Sequence, residues 1–207
     1  MANPVDYFTS MQSSKGWAVI LESFARFAAP TPDTRVLDVG TGPGALVKMF
    51  RETYTADAYG VDHDPAMGQQ AINLQDMAVF VSGSLPHLPF ASDTFDMVTA
   101  TNVLYLLDDP QSALNDIGRV LKVGGTFVML NPSIHMSIRA ATALAQERGL
   151  TGFEYDNFLH WGEVAEQNHR WSVTDVDTLF TRAGLSLRET RERIGPGLAL
   201  YAQGVKI

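Results

Sequence analysis

Asp38, Gly40, Gly42, Gly44 and Asp62 are the residues whose types and spacing could do chemistry together. Asp38 lies inside the apolar run Val36-Leu37-Asp38-Val39, the three glycines follow at every second position, and Asp62 ends the next apolar run, 18 residues beyond Gly44. A chain that leaves a buried strand and reverses into a helix needs backbone angles that a Cβ forbids, and a ligand pressed against such a turn leaves no room for side chains. The turn also presents unpaired N–H groups at the positive end of a helix dipole, which suits a carboxylate or phosphate. Asp38 narrows the choice. A carboxylate in an apolar strand is costly unless it is hydrogen-bonded or faces a polar ligand, and it would repel a pyrophosphate, so a ligand carrying an ammonium group fits better.

Asp62 stands close to the ~20-residue spacing at which an acid grips a ribose in a strand-helix-strand unit. The neighbouring Asp64-Pro65 pair reads as a helix N-cap followed by proline at the first helical position, so each acid has its own part.

Positioning these residues requires alternating strands and helices. After Gly44 the pattern Ala45, Leu46, Met49, Phe50 predicts a helix to about residue 53, and Ala56 to Val61 a second strand. A helix through Ala66, Met67, Ala71 and Leu74 follows, then a third strand from Ala78 to Val81 and a fourth from Met97 to Ala100. Ala113, Leu114, Ile117, Val120 and Leu121 mark a helical face that ends in a glycine cap at Lys122-Val123-Gly124-Gly125, before a fifth strand from Thr126 to Leu130. Ser172 to Val176 opens a last helix that closes at Gly184, and Leu185 to Ile194 and Leu198 to Val205 read as a terminal hairpin. At the other end, residues 1–14 read as polar and irregular. Trp17, Ile20, Leu21, Phe24 and Phe27 then recur at helical spacing until Pro30 and Pro32, and with Tyr7 and Phe8 they read as a helix or a lid over the ligand.

The chain has 207 residues, 45% of them hydrophobic, enough for one α/β domain with a sizeable core. A formal net charge of −8 works against a phosphate backbone as partner, and no nucleic-acid footprint is present. With no cysteine, disulfides and thiolate metal sites are excluded. His160, His169, Glu163 and Glu166 lack His-Glu-x-x-His spacing, so no metal is expected. The N-terminus has neither a basic nor an apolar leader pattern, and no stretch is long and apolar enough to span a membrane, so the cytosol is the expected compartment and no membrane partner is expected.

The run from Asp38 to Gly44 resembles motif I of the class I S-adenosylmethionine-dependent methyltransferases, Asp-x-Gly-x-Gly-x-Gly at the end of the first strand. Leu88-Pro89-Phe90, with Phe95-Asp96 after it, is similar to the family's link between strands three and four, and Arg119-Val120-Leu121-Lys122 with Gly124-Gly125 to another family segment. The resemblance covers about residues 34–130 by motif, extends to a type 11-like small-molecule methyltransferase domain, and implies a doubly wound, seven-stranded Rossmann-like sheet with an antiparallel edge strand. It also implies S-adenosylmethionine as cofactor, S-adenosylhomocysteine as product and a small-molecule methyl acceptor.

By the same resemblance, Asp38 lies near the α-amino group, Gly40, Gly42 and Gly44 form the close backbone, and Asp62 takes the ribose. His63 and Met67 stack on adenine, Ser84 and Leu85 bind its edge, and Thr101 with Asn102 borders the sulfonium or the acceptor. Relatives carry an acid where this chain has Ser84, and Glu-His where it has Tyr105-Leu106. Tyr105 and His135 are then the candidates for a general base, should the acceptor need one. The chain reads as one methyltransferase domain over residues 1–207, with residues 1–30 as lid helix and residues 131–171, rich in aromatics and histidines, as an acceptor cap. A nicotinamide-dependent oxidoreductase also fits glycine, turn and acid, though not Asp38 or the terminal hairpin. A non-catalytic S-adenosylmethionine-binding protein fits the missing histidine. The oligomeric state is not legible in the sequence.

Overall fold

Val36 and Leu37 are adjacent and both fully buried, which only a strand covered on both faces allows. They belong to β1 (Arg35–Val39), and the computed structural model, which describes residues 3–75 and 79–207, builds a doubly wound sheet outward from it. The chain runs α1 (Pro4–Gln12), α2 (Lys15–Ala28), β1, α3 (Ala45–Tyr54), β2 (Asp57–Asp62), α4 (Pro65–Gln75), β3 (Phe80–Ser82) and β4 (Phe95–Thr101). A 3-10 turn (Leu104–Leu106) leads to α5 (Pro110–Val120) and β5 (Leu121–Pro132). Then come α6 (Ile138–Glu147), α7 (Gly152–Gln167), α8 (Val173–Arg182), β6 (Leu185–Arg193) and β7 (Ala199–Lys206). The expected start of the third strand at Ala78 lies outside the described residues.

The seven strands are ordered β3-β2-β1-β4-β5-β7-β6. The first five are parallel, while β7 runs antiparallel to both β5 and β6. The antiparallel strand expected at one side of the sheet is therefore β7, one place in from the edge strand β6. Two apolar layers flank the sheet. Val36, Met97, Val128 and Leu130 face a layer that includes Phe24 of α2, Phe50 of α3, Ala141 of α6 and Trp161 of α7. Leu37, Val98, Phe127 and Met129 face Leu114 and Ile117 of α5 and Phe180 of α8.

Three elements differ from the sequence expectation. Residues 4–12, expected to be irregular, form α1, because the Asn3 side chain accepts from the Val5 N–H and Pro4 stands in the first turn, a capping arrangement without an apolar stripe to announce it. The glycine cap expected after α5 is absent: Leu121 is already extended at the helix end, and Gly124 and Gly125 instead form a bulge as pairing passes from Phe95↔Leu121 to Met97↔Thr126. A Cβ on Gly125 would lie 2.7 Å from the Lys122 carbonyl oxygen. The segment expected to lose regular structure holds two helices, α6 and α7, packed on each other.

The link from β3 to β4 carries almost no helix, and two side chains of α5 fix it. Asp116, which is buried, accepts from the Leu88 N–H at 2.6 Å and from Arg119 Nε at 2.7 Å. Arg119 also donates to the carbonyls of Phe90 at 2.6 Å and Leu88 at 3.0 Å. Arg119→Ala leaves a buried carboxylate without its cation and the Phe90 carbonyl without its donor, and should cost about 2–3 kcal/mol of stability. Arg119→Lys should recover little of it, since a single ammonium cannot reproduce the planar fork. A denaturant midpoint unchanged in Arg119→Ala would contradict this reading of the link.

Candidate functional site

The carboxyl ends of β1 and β4 meet at a buried polar pair. Asp38 and Thr99 are register partners on neighbouring strands, and the Thr99 hydroxyl donates to the Asp38 carboxylate at 2.7 Å. Both residues are buried. Burial pushes the Asp38 carboxyl up to about 7; Thr99 pulls it down, the Thr41 hydroxyl pulls less, and the neighbouring Asp62 charge raises it further. Thr41 itself fits because β2 carries Gly60 beneath it, where a Cβ would stand 2.7 Å from the threonine methyl.

Above this pair the turn closes on itself. Gly40, Gly42 and Gly44 all hold positive φ, at 68°, 55° and 86°, in the region that favours glycine. A Cβ on Gly40 would lie 2.3 Å from Val103 Cγ2, and one on Gly42 would lie 3.2 Å from Gln12 Nε2. The glycines thus admit two neighbours from distant parts of the chain. Gln12, the last residue of α1, spans the turn: its Nε2 donates to the Thr41 carbonyl at 3.1 Å, and its Oε1 accepts from the Ala45 N–H at 3.0 Å. It supplies a side-chain partner to one of the N–H groups that open α3.

Asp62 ties the same turn to the end of β2. One carboxylate oxygen accepts from the Gly42 N–H at 2.9 Å and the other from the Asp64 N–H at 3.1 Å, and His63 Nδ1 lies 3.2 Å from the latter oxygen. Asp64 caps α4 through the Ala66 N–H, as its neighbour proline predicts. The Asp62 carboxylate is 8% exposed and faces a cavity of about 730 Å³, within the size range of small-molecule sites.

That cavity brings together Gly40, Gly42, Asp62, His63, Met67, Thr101, Asn102 and Tyr105 of the expected residues, and adds Gln12. It does not bring in the others. Asp38 lies behind the turn, and Gly44 serves as N-cap of α3. Ser84 and Leu85 stand in a turn closed by the His87 N–H on the Ser84 carbonyl, outside the cavity wall. His135 is also outside, half exposed, with its Nε2 3.6 Å from Glu192. Tyr105 is buried, and burial, with Tyr7 nearby, holds its phenol well above the usual range, so it keeps its proton. Asn131, at the end of β5, is buried and its side chain accepts from the Tyr105 N–H at 3.3 Å, a purely local task.

The far walls come from α1, α2 and α7. The Tyr7 hydroxyl donates to the Asn157 side chain, the Gly16 N–H donates to Glu154 at 3.1 Å, and Trp17 and Trp161 meet edge to face at 6.4 Å. Sequence reasoning missed Gln12. The helix start at Asn3-Pro4 is the signal that could have placed it on a helix, but nothing local says that this helix ends on the glycine turn.

Residues 37–129 match the model of the family described as a methyltransferase domain. Over that segment the chain is similar to methyltransferase domains. It is 38% identical over 106 residues to a demethylmenaquinone methyltransferase of a Roseiflexus species, covering 50% of this chain and 44% of that protein. Over 137 residues it is 30% identical to the ubiquinone/menaquinone biosynthesis C-methyltransferase UbiE of Cereibacter sphaeroides, covering 63% and 55%. The chain thus spans about half the length of the curated relatives it matches. Its whole fold is shared with a chain from a Haloferax volcanii complex between the Trm112 methyltransferase activator and a methyltransferase, at a TM-score of 0.72, 23% identity and coverage of 99% and 98%. Among the described residues, no helix is long and apolar enough to cross a membrane.

The burial of Asp38 has a consequence for stability. Its folded pKa, about 7, lies above the ordinary 3.8, so between those values the folded protein holds a proton that the unfolded chain has lost. Stability should therefore be greatest below that window and fall as pH rises through it. Asp38→Asn keeps an acceptor for Thr99 and should remove this slope, leaving the variant on the order of 2–4 kcal/mol more stable than the parent at pH 8 relative to pH 5. Parallel denaturation curves for the two proteins at both pH values would refute the assignment.

Proposed function

We propose that the chain binds S-adenosylmethionine along the carboxyl ends of β2, β1 and β4 and transfers its methyl group to a small-molecule acceptor in the rest of the cavity. The observation that carries this reading is the Asp62 carboxylate. It offers about four acceptor sites, of which the Gly42 and Asp64 N–H groups use two, so two remain for the paired hydroxyls of a ribose. The residues fit the rest of the cofactor too. Asn102 holds positive φ and lines the cavity, and its buried side-chain oxygen has no hydrogen-bond partner among the described residues, an acceptor matched to an ammonium. Asp38 adds negative field from behind the turn. Gly40 and Gly42 offer bare backbone to the methionine end, and His63 and Met67 flank the adenine side. Ser84 and Leu85 are assigned at most an indirect part there.

When bound, the cofactor supplies a methyl already activated by its sulfonium. The protein's work is then to align an acceptor and exclude water, and orientation alone can be worth up to about 7–11 kcal/mol. Tyr105 keeps its proton and so serves as a wall and hydrogen-bond donor rather than a base. The helices α1 and α2 act as the lid, α6 and α7 as the acceptor cap, and Gln12 is the latch that makes closure of the lid and order of the glycine turn one event. The demethylmenaquinone and ubiquinone/menaquinone methyltransferases among the relatives support a small-molecule acceptor.

Titration with S-adenosylhomocysteine in a calorimeter tests the cofactor assignment. Asp62→Asn should weaken binding by about 10–100-fold, the range expected when hydrogen bonds to a charged group are lost, with the circular dichroism unchanged. Gln12→Ala should weaken it several-fold through the lid. Equal affinity in the parent and Asp62→Asn proteins, or tighter binding of NADH than of S-adenosylhomocysteine, would overturn the reading.

A further inference from the structure

The cavity is much larger than its glycine-turn end, and its opposite end has a chemistry of its own. The hairpin turn between β6 and β7 lies at the same edge of the sheet as the carboxyl ends of β1 and β4, because Ala199 pairs with Pro132 at the end of β5. Strand order then places that hairpin two to three strand spacings from β4, about 10–14 Å from the Thr101-Asn102 position. The C-terminal end of α6 packs on it, since a Cβ on Gly195 would meet the Leu144 side chain at 2.5 Å. Arg148, just past α6, and Arg193, the last residue of β6, therefore line the same end of the cavity.

These two are the arginines of the cavity wall, in a chain of net charge −8. Among the described residues neither forms an ion pair. Glu192 faces His135, and Glu154 accepts from Gly16. The same wall carries the apolar and aromatic side chains of Ile20, Leu150, Phe158 and Trp161. Trp17 and Trp161 are buried and line it, and each carries an indole N–H with no partner among the described residues. A cation pair at the exposed end of an apolar channel is poor design for a neutral hydrocarbon acceptor, whereas guanidinium groups match carboxylate and phosphate oxygens with paired donors.

We propose that the acceptor is amphipathic, with an apolar body lying along the aromatic wall and an anionic end group, carboxylate or phosphate, held by Arg148 and Arg193. This rests on the methyl-transfer reading above and names the acceptor's class. The arginines set the depth to which the acceptor enters, and so choose which of its atoms reaches the position beside Asn102.

Eight-carbon probes test it on the full chain saturated with S-adenosylhomocysteine, with binding read by ligand-observed NMR. Octanoate and octyl phosphate should both bind at least about tenfold more tightly than octanol, and octylamine should bind no better than octanol; tenfold is the effect of about 1.4 kcal/mol. Whichever anion binds more tightly identifies the end group. The double variant Arg148→Gln, Arg193→Gln, both at exposed positions, should erase the preference for the anions while leaving the affinity for S-adenosylhomocysteine and the weak binding of octanol as they were. Equal binding of octanoate and octanol, a preference for octylamine, absence of binding by every probe, or an anion preference that survives the double variant would each overturn the proposal. Failure to bind S-adenosylhomocysteine in the first place would instead overturn the cofactor reading beneath it.

Discussion

The hydrogen bond from the Gly42 N–H to the Asp62 carboxylate, 2.9 Å long and buried, holds the site together. It joins the turn after β1 to the end of β2, so that the glycine backbone and the acid face one cavity instead of two. A charged acceptor makes this bond stronger than a neutral one, and burial removes the water that would compete for it. The bond also explains the spacing between the turn and the acid. A strand, a turn, a helix and a second strand return the chain to the neighbouring position in a parallel sheet, and that return brings residue 62 beside residue 42.

Beneath that bond lies a second polar layer, Asp38 with Thr99, which the apolar sheet tolerates at a cost. Burial raises the Asp38 carboxyl to about 7, so at neutral pH it is only partly ionised, and Asp62 nearby works in the same direction. Two carboxylates within one small region would repel if both were fully charged. Keeping the deeper one partly neutral relieves that repulsion until a cation arrives, and a cation would then favour the ionised form. The site is therefore electrostatically poised for a positively charged ligand, by an arrangement that makes the ligand-free protein less stable as pH rises.

Much of this was legible in the sequence because parallel strands buried on both faces write themselves as unbroken apolar runs. Val36 to Val39, Ala56 to Val61 and Met97 to Ala100 each fall on the strand they predicted, and the glycine turn and the Ser172–Asp175 capping box follow local rules that a single sequence obeys visibly. What the sequence hid depends on tertiary contact. The helix α1 has no buried residue, so no periodic stripe revealed it, and Gln12 gains its meaning only from where that helix ends. Leu121 stops α5 earlier than its glycines suggested because the strand pairing with Phe95 captures it first. His135 looked chemical by type, but the loop after β5 carries it to Glu192 on the outer side of the terminal hairpin, away from the cavity.

The same distinction separates the two ends of the cavity. At the glycine end, function demands a fixed backbone, and backbone demands are spelled in glycine, proline and capping residues that can be read one after another. At the arginine end, Arg148 and Arg193 are separated by 44 intervening residues and reach the wall of one cavity because α6 folds onto the hairpin tip. Cofactor sites of this kind are thus announced by motif, while acceptor sites are assembled from side chains whose identity carries no local signal. An acceptor's charge must be read from which ionic groups of the cavity wall are left without partners, and among the described residues those include the two guanidinium ions.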